Sequence, residues 1–268
     1  MSARRWFAFA AAVGFGGCGA THALIPFSQS GFEEVESTKR YMVRLVEKST
    51  GKVLCSGIAL SPRWVLTAGH CVNTGDPCAG TKCRARPAAT TTMLAFSIHP
   101  HPDYMSGEAG QRDFQHDLAL LHTRDGSLPA RWTGSREMTS QVQAGDKLVS
   151  LGWGLSQPGS DRRLRHSHQM AFTFPPTPCA TAMPPQVITS DELCGGFDDG
   201  APCVFDSGGP VFTAGGTHDV PELRALVGVT SQAQDPSCSN SDWAIFAGFE
   251  QSDLEWIDRL VNGPQPPD

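Results

Sequence analysis

The chain has 268 residues, 40% of them hydrophobic and 18% charged, with a formal net charge of −6. That length and apolar content support a substantial core, and an acidic balance without a basic tract argues against nucleic acid as a partner. The 28 glycines and 20 prolines favour a turn-rich β protein over a helical bundle.

The N-terminus reads as a targeting segment. Arg4 and Arg5 precede the apolar run WFAFAAAVGFGG (6–17), which is too short to span a bilayer. The pattern predicts a signal peptide over residues 1–23, excluded from the fold. Two exits are open. FGGC (15–18) resembles a bacterial lipobox, in which Cys18 would be lipidated and attach the chain to a membrane. Alternatively, a signal peptidase would cut after Ala20 or Ala23. Both exits predict an exported chain, either secreted, periplasmic or anchored to the outer membrane. Both also remove Cys18 from the count of 9 cysteines, leaving an even set suited to disulfides outside the cytosol.

Downstream, apolar β-rich runs alternate with turn clusters: YMVRLVE (41–47), KVLCSGIALS (52–61), WVLTAG (64–69), DLALLHT (117–123), KLVSLGWG (147–154), PVFTA (210–214) and ALVGVTS (225–231). Residues 75–92 and 103–116 read as polar, glycine-containing loops, and 155–185 as a proline-rich loop. EQSDLEWIDRLVN (250–262) is different: Leu254, Ile257, Leu260 and Val261 recur at helical spacing, with Ser252 or Asp253 as the cap. The tail 263–268 reads as disordered. Many short strands and one terminal helix predict an all-β fold of the sandwich or barrel kind.

Three polar residues sit in distinct settings. His70 ends the apolar run WVLTAGHC, Asp117 opens DLALL, and Ser207 lies on the turn DSGGP. A serine nucleophile needs a base to take its proton, an anion to hold that base in the right tautomer, and N–H donors for the oxyanion. Each motif alone is weak. Together, in this order, they are specific to acyl transfer.

With these motifs the chain resembles the chymotrypsin/trypsin (S1-type) family of serine proteases, as a bacterial exported member, over residues 41–261. HPDY (101–104), GWG (152–154) and EWI (255–257) agree. The resemblance implies two packed six-stranded antiparallel β-barrels with a C-terminal helix. It implies one protease domain over residues 24–262, acting as a monomer on protein or peptide substrates. His70 would be the general base, Asp117 its orienter and Ser207 the nucleophile, and the backbone N–H groups of Phe205 and Ser207 would form the oxyanion hole. It further implies the bridges Cys55–Cys71, Cys179–Cys194 and Cys203–Cys238. Cys78 and Cys83 would then close a local loop not typical of the family. By the same resemblance Ala201 and Pro202 would floor the specificity pocket, with Ser231, Ala233 and Ala244 on its walls. A neutral pocket of this kind would favour small or medium apolar side chains at P1.

Two departures stand out. Phe205 occupies a position that is almost always glycine in the family, where the backbone takes a shape a Cβ disfavours. A second reading therefore stays open, in which the protein is a catalytically impaired homologue acting as a binding or scaffold module. Second, Asp206 would pair with a new N-terminal ammonium, yet no Ile-Val-Gly-Gly start is present. Candidate starts are Leu24, Ile25 or a cut after Arg40. No cofactor or metal motif is visible. His22, His99, His101, His116, His122, His166, His168 and His218 read as solvated or hydrogen-bonded rather than as ligands.

Overall fold

A computed structural model describes residues 38–72, 83–87, 94–104, 115–124, 127–154, 165–171, 189–197, 202, 205–216, 221–233 and 243–265. The first sheet contains β1 (Met42–Glu47), β2 (Val53–Ala59), β3 (Trp64–Thr67), β4 (Cys83–Pro87), β5 (Phe96–Pro100) and β6 (Ala119–Thr123), in the order β4-β1-β2-β3-β6-β5. A bridge between Ala85 and Leu94 links its two ends. The second contains β7 (Ser135–Arg136), β8 (Lys147–Gly152), β9 (Arg165–Ala171), β10 (Glu192–Phe197), β11 (Pro210–Gly216), β12 (Pro221–Ala233) and β13 (Trp243–Gly248). Six of these run antiparallel as β11-β8-β9-β10-β13-β12, and a β11–β12 pairing closes the ring. The two-residue β7 adds a short parallel pairing on β12. The helix α1 (Gln251–Asn262) ends the fold. No helix of the described residues is long and apolar enough to cross a membrane.

The central strands are covered on both faces. Every residue of β6 and β13 is buried, as expected of strands covered on each side. One core cluster runs from the first sheet through Trp153, Phe212 and Val229 to Trp256, Ile257 and Val261 of α1. A second, smaller cluster fills the other ring around Leu148, Val211, Val227 and Phe246. The Cys55–Cys71 bridge is present. Cys194 is also disulfide-bonded, but its expected partner Cys179 lies outside the described residues, as do Cys18, Cys78, Cys203 and Cys238.

Several expectations are corrected. Within the segment read as a loop over 75–92, Cys83–Pro87 forms β4 on the edge of β1. Its buried Ala85 is flanked by the half-buried Arg84 and Arg86, so the strand carries little apolar signal. Within 155–185, Arg165–Ala171 forms β9 between β8 and β10; RHSHQMA is too polar to read as a strand. The cap of α1 is Glu250, and Asp253 instead reaches back from the first turn to accept the Glu250 N–H at 2.6 Å. Residues 263–265 of the tail are among the described residues, and Gln265 Oε1 accepts the Trp64 indole N–H at 2.7 Å.

Candidate active site

The register of the first sheet brings His70 and Asp117 together. β3 and β6 run antiparallel with Thr67 opposite Ala119. The residues just after β3 therefore face those just before β6. His70 lies on a 3-10 turn, Gly69–Cys71, that follows β3 directly. A Cβ on Gly69 would meet the Tyr104 ring at 3.0–3.1 Å, which ties HPDY to the histidine turn by close packing.

The Asp117 carboxylate is fully buried. Its Oδ1 accepts the backbone N–H of His70 at 2.7 Å, and its Oδ2 lies 2.7 Å from His70 Nδ1. Ser231 Oγ donates to the same Oδ2 at 2.6 Å. A buried carboxylate demands such partners. An ionised carboxylate only accepts, so the imidazole proton sits on Nδ1 and the lone pair on Nε2. His70 itself keeps 23% side-chain exposure, so its outer edge reaches solvent. The family resemblance implies a pocket-wall position for Ser231, and its hydroxyl contact with Asp117 carries no local sequence signal. The pairing of β12 with β13 shifts between Thr230 and Gln232. The extra residue of that irregularity is Ser231, and a bulge of this kind re-aims a side chain.

The Ser207 backbone lies beside the histidine turn. The Cys71 sulfur lies 3.7 Å from the Ser207 carbonyl oxygen and 3.8 Å from His70 Nε2. The Ser207 carbonyl accepts the Ser56 N–H at 2.8 Å, and Gly208 N–H donates to Thr230 at 2.7 Å. Gly208 has φ 77, and a Cβ there would stand 2.1 Å from Thr67 Oγ1 and 2.5 Å from the Ser56 carbonyl. Only glycine lets the serine turn seat this closely against β2 and β3.

Asp206 is buried and accepts the Gly154 N–H on Oδ1 at 2.7 Å. The two glycines of GWG form its cradle: a Cβ on Gly152 would fall 1.9 Å from Oδ1, and one on Gly154 2.4 Å from Oδ2. The proposed ammonium partners Leu24 and Ile25 lie outside the described residues.

Phe205 adopts φ 79. This is the left-handed region, which costs a residue bearing a Cβ about 1–2 kcal/mol. Its half-buried ring packs against the main core cluster, and Lys52 Nζ lies 5.8 Å from the ring centroid. Its carbonyl accepts Ser56 Oγ at 2.9 Å. Of the expected pocket residues, Pro202 and Ala244 are buried, and Ala233 pairs with Ala244 across β12 and β13. Ala201 lies outside the described residues.

Two groups bring potential metal ligands together among the described residues. In the first, Cys55 and Cys71 are joined as a disulfide and offer no thiolate beside His70. In the second, His101 Nε2 and His116 Nδ1 lie 3.2 and 2.9 Å from Asp253 Oδ1. His116 is hydrogen-bonded to Asp253, His101 lies within ion-pair distance of the same oxygen, and the two imidazoles are stacked at 4.8 Å. The bond to Asp253 raises the His116 pKa to about 9 against the opposing effect of burial, and the Asp191 carboxylate adds to the rise. Burial lowers the pKa of His101. Both histidines are hydrogen-bonded, one of the two environments the sequence leaves open for them.

Comparison with known proteins places this geometry. The sequence profile of the Trypsin family matches residues 29–257. The chain belongs to the trypsin family. As a trypsin-family serine protease it is a serine endopeptidase. Among its relatives, human Kallikrein-8 is 32% identical over 220 residues, covering 78% of each chain. Submandibular glandular kallikrein-9 of Rattus norvegicus is 29% identical over 228 residues, covering 79% of this chain and 82% of the relative. Serine protease 1 of Drosophila melanogaster is 27% identical over 239 residues, covering 85% and 83%. In fold, the trypsin-like chain is similar to kallikrein-related peptidase 10 in its complex with Zn2+. That match has a TM-score of 0.62 at 22% identity, covering 88% of this chain and 99% of that one. Mouse neuropsin matches with a TM-score of 0.63 at 22% identity, covering 83% and 94%.

Proposed function

We propose that this trypsin-family protease hydrolyses peptide bonds through an acyl-enzyme on Ser207. His70 Nε2 takes the Ser207 hydroxyl proton as Oγ attacks the scissile carbonyl carbon. Asp117 holds the imidazole and stabilises the imidazolium that forms. The carbonyl electrons move onto oxygen, and the N–H groups of Phe205 and Ser207 receive the oxyanion. Collapse breaks the C–N bond, and His70 returns the proton to the leaving amine. Water then repeats the sequence on the ester and frees Ser207. The observation that carries this reading is the φ of 79 at Phe205. Phenylalanine here keeps the glycine-like backbone that the oxyanion role requires.

The finer features belong to the same proposal. Ala201, Pro202, Ser231, Ala233 and Ala244 form a neutral pocket for small or medium apolar P1 residues. Residues 1–23 export the chain, ending in a free Leu24 or, if Cys18 is lipidated, in a membrane-attached form. A free Leu24 ammonium would reach Asp206; the lipidated form needs a further cut.

A fluorophosphonate probe applied to the mature protein tests the central reading. Labelling of wild type that is lost in Ser207→Ala is expected. A correctly processed wild type that neither labels nor cleaves casein would instead favour the binding or scaffold role. P1 profiling that returned Arg or Lys would defeat the pocket assignment.

A further inference from the structure

We infer that Ser56 is a positioning residue for catalysis, clamping the Phe205 peptide so that a residue bearing a side chain can hold the left-handed shape of the oxyanion site. This rests on the hydrolase reading above. Ser56 lies on β2, in the opposite sheet from the serine turn, and is fully buried. Its hydroxyl donates to the Phe205 carbonyl at 2.9 Å and accepts the Trp153 N–H at 3.0 Å. Its own N–H donates to the Ser207 carbonyl at 2.8 Å. One residue therefore grips the carbonyls on both sides of Asp206.

The geometric consequence falls on the Phe205 nitrogen. The bond from Ser56 fixes the Phe205 carbonyl group. Packing of the phenyl ring against the core cluster fixes its Cβ. With the carbonyl carbon, Cα and Cβ held, the L-configuration leaves one position for the nitrogen. That nitrogen bears the hydrogen assigned to the oxyanion. A glycine at 205 would reach the same φ without strain and would not need the clamp. The hydroxyl and the phenylalanine thus form a matched pair.

This predicts a coupling that a general stabilising role for Ser56 would not produce. Ser56→Ala is made in the wild-type chain and in Phe205→Gly, and kcat and KM are measured on a peptide substrate. In the wild-type background kcat should fall about 10-fold or more, with KM within about twofold, because the lost interaction acts on the transition state. In the Phe205→Gly background the same change should cost less than about threefold. Equal losses in both backgrounds overturn the clamp. If Ser56→Ala does not fold, Ser56→Thr decides. It keeps the hydroxyl, so kcat should stay within about tenfold of wild type, and a larger loss in the folded variant overturns the proposal. A wild type that neither turns over substrate nor labels with a fluorophosphonate defeats the hydrolase reading itself. An active wild type without the coupling defeats only the role of Ser56.

Discussion

Replacing Gly152 with alanine drives a methyl group into the Asp206 carboxylate. The new Cβ would lie 1.9 Å from Oδ1, 2.6 Å from Cγ and 2.9 Å from the aspartate Cβ, so rotating the carboxylate alone does not relieve the clash. A tolerable carbon–oxygen contact is about 3.2 Å, so Oδ1 must retreat by about 1.3 Å in a close-packed interior. It would then leave the Gly154 N–H, now at 2.7 Å. Asp206 directly precedes Ser207, so the displacement passes to the proposed nucleophile and oxyanion donors. A shift of about 1 Å in a catalytic group costs about 10²-fold. We therefore expect Gly152→Ala to lower kcat/KM by about 10²-fold or more, mainly through kcat. The assay is the second-order rate of fluorophosphonate labelling beside steady-state peptide hydrolysis, with a thermal melt to confirm folding. Gly154→Ala, whose Cβ would lie 2.4 Å from Oδ2, should lose activity in the same way. A folded Gly152→Ala protein that labels within about threefold of wild type would refute the coupling between Asp206 and the serine turn.

Three further outcomes are expected. Ser231→Ala deletes the 2.6 Å bond to buried Asp117; kcat should fall about 10-fold or more, as for a charge-assisted bond worth about 1.5–3 kcal/mol, while Ser231→Thr retains most of it. Asp117→Asn presents a donor where Nδ1–H needs an acceptor, and kcat should drop by about 10⁴-fold with the melting temperature measured alongside. His116, raised from 6.5 to about 9, contributes stability fully below pH 6.5 and loses it as the pH climbs through 9. Urea unfolding between pH 6 and pH 10 should register a loss of about 1–3 kcal/mol from this pair, and Asp253→Asn should abolish that part of the pH dependence.

The residues that were legible in the sequence are those whose chemistry is carried by local motifs. His70, Asp117 and Ser207 each stand in a short run that also sets the backbone around them, and the apolar strands β3, β6 and β8 read directly. Ser56 and Ser231 did not announce their roles. Each contact spans more than a hundred residues, and each depends on register: a strand meeting the serine turn in one case, a shifted pairing in the other. The polar strands β4 and β9 failed for a different reason. Their backbones pair with apolar neighbours, while their side chains carry too little hydrophobic alternation to mark a strand. Phe205 was visible as an anomaly, but no local rule says whether tertiary packing will hold a phenylalanine at positive φ.

Asp253 on the final helix is the shared carboxylate neighbour of His101 and His116, the latter immediately ahead of Asp117. Beyond the end of α1, Gln265 bonds back to Trp64 at the start of the strand leading to His70. The segment from α1 to Gln265 thus straps the first sheet, supplying polar partners to the two stretches that lead into His70 and Asp117.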